Sequence, residues 1–89
     1  MGNFNMKQAV IETWGKTKEK YPDTLILVCD EGKYYALKED SHKSQECGLG
    51  VQRDTENDIE FASFDFCELD TFLPKLIRRG NRVAITNIY

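Results

Sequence analysis

Residues 24–40 read TLILVCDEGKYYALKED, and this stretch sets the fold. Leu25, Ile26, Leu27, Val28 and Cys29 form an unbroken apolar run of strand length, the pattern of a strand covered on both faces, with Cys29 as a core residue. Asp30, Glu31 and Gly32 follow with turn chemistry, since glycine takes positive φ at no steric cost. In residues 33–38, Lys33, Tyr35 and Leu37 alternate with Tyr34, Ala36 and Lys38, which places the two sets on opposite faces of a second strand. The expected structure is a β-hairpin at the centre of a small sheet.

Outward from the hairpin, the N-terminal segment repeats at helical spacing. Met6, Ala9, Val10, Thr13, Trp14, Thr17 and Tyr21 form one stripe, with Asn5 as cap and Gln8 as its reciprocal partner. Gly15 lies inside this helix at a cost of about 1 kcal/mol against Ala, and Pro22 ends it. Beyond the hairpin, residues 39–46 read as a short helix capped by Asp40 or Ser41. Gly48 and Gly50 open a strand-like stretch through Leu49, Val51 and Arg53, and residues 54–58 read as a mobile polar loop. Ile59, Phe61 and Ser63 share one face of a further strand, with acidic or small residues opposite; Phe64 and Phe66 interrupt the alternation.

Leu69, Phe72, Leu73, Leu76 and Ile77 mark a last amphipathic helix, closed by Arg78, Arg79 and Gly80, with Pro74 placed near its start. Val83, Ala84 and Ile85 predict a final buried strand that closes at Ile88 and Tyr89. The sum is a single α+β domain over residues 1–89, a small mixed β-sheet packed in two layers by an N-terminal and a C-terminal helix.

Eighty-nine residues suffice for one core with little stability to spare. No apolar stretch reaches membrane-span length and the N-terminus lacks a signal-peptide layout, so the expectation is a cytoplasmic protein. Cys29, Cys47 and Cys67 are odd in number and include no CxxC pair, which points away from a disulfide framework or a zinc site. Charge is uneven. Residues 44–70 hold eight acids against Arg53 alone, whereas residues 71–89 hold Lys75, Arg78, Arg79 and Arg82 with no acid. Such a layout suits a polar surface or self-association rather than a uniformly electrostatic nucleic-acid binder.

Three pieces resemble the N-terminal, mismatch-recognition domain of the MutS-type DNA mismatch repair proteins. Residues 20–27, KYPDTLIL, are similar to that family's YPD followed by an apolar strand. Residues 32–37, GKYYAL, fall where it has a GDFYEL hairpin, and residues 69–85, LDTFLPKLIRRGNRVAI, resemble its closing helix and VAI strand. Ile59, Glu60, Phe61 and Ala62 fall at its IPMAG strand. The resemblance implies the family's fold and a role in contacting double-stranded DNA, mismatched or distorted. In the family, a Phe-x-Glu motif on the hairpin enters the minor groove, the Phe stacking on a mispaired base and the Glu hydrogen-bonding to it. Here Tyr34 stands at the Phe position and Ala36 at the Glu position, so the resemblance implies the stacking half of the contact without the carboxylate half. Lys33 replaces an Asp and adds a phosphate contact.

Two readings follow for the site residues. Tyr34 either stacks on a base or is a packed surface aromatic, and Lys75, Arg78, Arg79 and Arg82 either line a phosphate path or form a solvated helix end. The chain is correspondingly either a DNA-binding domain with a degenerate motif or an interaction module that keeps the fold and binds another protein chain. His42 beside Glu39, Asp40 and Glu46 lacks the further ligands of a metal site. No phosphate-binding GxxxxGK loop and no catalytic constellation is visible, so neither enzyme activity nor a cofactor is expected.

Overall fold

Leu25, Ile26, Leu27 and Val28 are all buried, and the molecule is built outward from them. The structure is a computed structural model that describes residues 7–88. Among these, α1 (Gln8–Lys20) leads into β1 (Thr24–Asp30) and β2 (Lys33–Leu37), then α2 (Glu39–Gln45), β3 (Gln52–Asp54) and β4 (Ile59–Asp65). A 3-10 turn (Phe66–Glu68), α3 (Leu69–Arg78) and β5 (Arg82–Asn87) complete the chain. The sheet order is β3-β4-β2-β1-β5. β1 and β2 form the expected antiparallel hairpin, with Val28 opposite Tyr35 and Asp30 opposite Lys33. β2 continues antiparallel onto β4, and β5 returns parallel to β1 at the far edge.

Alternation along β1 explains the layering. Ile26 and Val28 join Tyr35, Leu37 and Phe61 beneath Val10 and Trp14 of α1. Leu25 and Leu27 face the other way, joining Ala36, Ala62 and Phe64 with Leu76 of α3. The α+β class therefore stands, but the helices lie on opposite faces and the sheet is the middle of three layers rather than one of two. Each fully buried aliphatic side chain in it contributes roughly 1.5–3 kcal/mol.

Several local expectations are corrected. Asn5, Met6 and Tyr89 lie outside the described residues. Helix α1 starts at Gln8 with Lys7 as N-cap and no side-chain cap, and Ala9 and Tyr21 face solvent while Ile11 packs on the core. Asp40 does not cap α2: that place falls to Lys38, whose φ of 51° turns the chain out of β2. The fully buried Asp40 carboxylate instead accepts hydrogen bonds from the Trp14 indole (3.0 Å), the Ile26 backbone N–H (3.0 Å) and the Lys18 ammonium (2.8 Å). Three elements are pinned at one point.

Asp54 is buried at the end of β3, and its carboxylate accepts from the Asn57 backbone (3.1 Å) and side-chain amide (2.9 Å), so the 54–58 loop is tied at its base. Phe64 keeps the alternation after all, because β4 is a covered strand with core on both faces. Cys29 is only half-buried, and β5 is an edge strand with Ile85 exposed and Val83 and Ala84 half-buried. Ile77 likewise faces solvent. Pro74 sits at the middle of α3 rather than near its start, and forfeits the bond to the Asp70 carbonyl.

Candidate functional site

The hairpin tip is the best-defined projecting feature. Glu31 and Gly32 are its central residues, with φ of 49° and 79°, the sign pattern of a type I′ turn whose twist matches the flanking strands. Glu31 is held by Lys7, which lies 3.0 Å from its carboxylate and 3.6 Å from that of Asp30. The hydrogen bond to Glu31 raises the Lys7 pKa, desolvation opposes it, and the charges of Asp30 and Glu31 add to the rise.

Of the adjacent tyrosines, Tyr35 is the one that turns in, under α1, with its ring 6.2 Å from that of Phe61. Burial raises its phenol pKa, and the negative charges of Asp30 and Glu31 add to the effect. Tyr34 faces the α3 side and is half-buried. Its ring lies 5.4 Å from Phe64, whose ring lies 5.1 Å from Phe72. Both readings of Tyr34 thus have a physical basis, since the ring packs on Phe64 yet stays partly exposed. Ala36 is only 1% exposed and faces Ala62 within the sheet, so the degenerate motif position is core. Lys33 is exposed at the tip, opposite Asp65.

The basic residues divide. Lys75 leans over the Phe72 ring at 5.5 Å, continuing the row Tyr34–Phe64–Phe72. With Arg78, Arg79, Glu46 and Cys47 it lines an open cleft of about 330 Å³. Arg79 is already engaged, donating to the Glu46 carboxylate (3.4 Å) and backbone carbonyl (3.1 Å) and so tying the end of α3 to the end of α2. Arg82 lies opposite Thr24 at the start of β1, whereas Lys33 lies opposite Asp30 at its end. At about 3.3 Å per residue the two ends of β1 are roughly 20 Å apart. Tyr34 and Lys75 belong to the α3 side, whereas Lys33, at the tip, falls with Tyr35 on the α1 face, as Arg82 does with Ala84 at the far end.

His42 Nε2 lies 2.7 Å from Glu60 Oε1 on the surface, and among the described residues no cluster of His, Cys, Asp or Glu is arranged to hold a metal ion. Cys29, Cys47 and Cys67 are free thiols. No helix among the described residues is long and apolar enough to cross a membrane.

Two residues escaped the sequence. Asp40 had no signal beyond its place near a helix start. Phe66, exposed beside the hairpin turn, did leave one: Asp65, Phe66, Cys67 and Glu68 spell the D-x-x-E of a capping box, which the structure forms.

Comparison with known proteins agrees with this geometry. The family model described as MutS domain I matches residues 8–88. The DNA mismatch repair protein MutS of Phocaeicola vulgatus is 33% identical over 90 residues, covering 96% of this chain and 10% of that protein. The MutS of Porphyromonas gingivalis is 35% identical over 89 residues, 90% of this chain and 10% of its own length. That of Salinibacter ruber is 37% identical over 75 residues, 79% of this chain and 8% of its own. The chain thus spans about a tenth of the length of the curated relatives it matches.

Proposed function

The chain belongs to the MutS domain I family, and on that premise we propose that it contacts duplex DNA where the helix is distorted, through the hairpin tip, without selecting a mispaired base by a carboxylate. The observation that carries this reading is the mounting of Tyr34. Its ring is backed by Phe64 near the tip of the hairpin, with Lys33 exposed at the tip on the other face of the strand. An aromatic held in place gives up little side-chain freedom on stacking, and a neighbouring ammonium supplies a phosphate contact. Lys75 and Arg78 extend the cationic side along α3. Ala36, buried against Ala62, offers no polar group to a base, so the domain favours deformable or unstacked sites over one mismatch identity. This role is one of binding, with no catalytic step assigned to the domain.

Fluorescence anisotropy with perfect, mismatched and bulged duplexes and a single strand, at low and moderate salt, tests it. Tighter binding to the distorted duplexes, weakened in Tyr34→Ala, is the expected result. Equal, strongly salt-dependent binding to all four would mean that only surface charge acts. A second reading, a protein-interaction module, is favoured by the acids around the tip, where Asp30, Glu31, Asp65 and Glu68 outnumber Lys7 and Lys33. Absence of binding to every nucleic acid would turn the assignment to that reading.

A further inference from the structure

We propose that Phe66, rather than Tyr34, is the leading stacking side chain of this surface, and that its ligand is an unstacked base. The inference rests on the DNA-binding reading above and names the residue through which it works.

Phe66 is 61% exposed, the largest exposure among the big apolar side chains described. An exposed aromatic is ordinary by itself, but this one is rigidly mounted beside the hairpin. Lys33 opposite Asp65 brings the end of β4 to the turn. The Phe66 N–H then donates to the Gly32 carbonyl at 2.8 Å, which fastens the residue to the hairpin. A Cβ built on Gly32 would lie 3.8 Å from Phe66 Cδ1, so the ring edge rests against the turn itself.

The following turn is fixed from both ends. The Asp65 side chain accepts from the Glu68 backbone N–H, and the Asp65 N–H donates to Glu68 Oε1 at 3.2 Å. Tyr34, in contrast, has one flank covered by Phe64 and leads less far into solvent. A preorganised apolar ring at a projecting tip has the properties of a wedge between base steps.

The flanking carboxylates leave selectivity to the ring. Asp65, Glu68 and Glu31 repel the phosphates of any strand near the tip, so preference among DNAs at this point must come from stacking rather than charge. Stacking is most favourable where a base has already left the helix. The preferred ligand is a bulged or single-stranded base, and the perfect duplex is disfavoured.

The test uses labelled DNA with a single-base bulge and the 89-residue chain, comparing wild type with Phe66→Ala, Phe66→Trp and Tyr34→Ala. Thermal unfolding is followed in parallel. Phe66→Ala should bind roughly tenfold more weakly with its melting temperature unchanged, a larger loss than in Tyr34→Ala. Phe66→Trp should bind like wild type, with its tip indole quenched by the DNA. Phe66→Ala binding within twofold of wild type would overturn the inference while leaving DNA binding in place. Wild type that fails to bind bulged and single-stranded DNA alike would overturn the reading beneath it.

Discussion

At the scale of single residues, position 36 carries the sharpest consequence. Ala36 is 1% exposed, flanked in the sheet and opposed by Ala62. Restoring the family's acidic residue there with Ala36→Glu would not restore a base contact. It would place a carboxylate and one extra methylene in a packed layer, at a cost of about 3 kcal/mol or more. Urea denaturation should show that loss, and a folded variant with new mismatch preference would instead place residue 36 on the contact surface.

Asp40 is the second such position. Its carboxylate satisfies the Trp14 indole, the Ile26 N–H and the Lys18 ammonium together. Asp40→Ala leaves two buried donors without an acceptor and the Lys18 ammonium, still bonded to the Thr24 carbonyl, without its counter-ion, and should cost about 3–5 kcal/mol. That is a large share of the roughly 5–10 kcal/mol a domain of this size possesses. Asp40→Asn, which keeps acceptor geometry but loses the charge, should fall between Asp40→Ala and wild type in urea midpoint. Equal midpoints for Asp40→Ala and wild type would show the network to be dispensable.

At the scale of elements, α1 offers a gain rather than a loss. Gly15 lies inside this helix, and a Cβ added there would meet no atom within 4 Å. Packing therefore does not require the glycine. Gly15→Ala should stabilise the domain by about 0.5–1 kcal/mol through helix propensity alone, read as a rise in melting temperature with DNA binding unaltered. A fall would reveal a close approach at this helix that the spacing of its neighbours does not show.

The same scale shows how far the sequence could be read. The hairpin and α3 were plain because their signals are local: an apolar run, a turn glycine, and apolar residues at 3.6-residue spacing ending in a left-handed Gly80. The layering was less plain. Alternation assigns residues to two faces but does not say whether both are covered, so Phe64 looked like a defect in β4 until α3 was seen to lie above it. Val83, Ala84 and Ile85 looked buried because apolar content is the same for an edge strand as for a central one. Asp40, read as a cap, was out of reach because its partners lie 14 to 26 residues away in sequence. For the candidate site, Tyr34 and Lys33 were found from the hairpin, while Phe66 is brought to the tip by the pairing of β4 with β2.

At the scale of the whole molecule, the distribution of cations limits how DNA can lie on it. Lys33 is at one end of β1, Arg82 at the other, and Arg79 is held by Glu46. A duplex engaged at the tip meets Lys33 there and, running along the α3 side, meets Lys75 and then Arg78, whereas Arg82 falls with Ala84 on the α1 face. Each phosphate neutralised adds about −0.9 to the slope of log K against log salt, so a slope of about −2 to −3 is expected for a bulged duplex. Lys33→Ala should make that slope shallower by about 1, Arg79→Ala should leave it unchanged, and Arg82→Ala should alter affinity by less than about twofold. The measurement is a salt titration followed by anisotropy. A slope of about −4 or steeper would mean that Arg79 leaves Glu46 or that the DNA reaches Arg82, and the duplex would then lie across the sheet end rather than along α3.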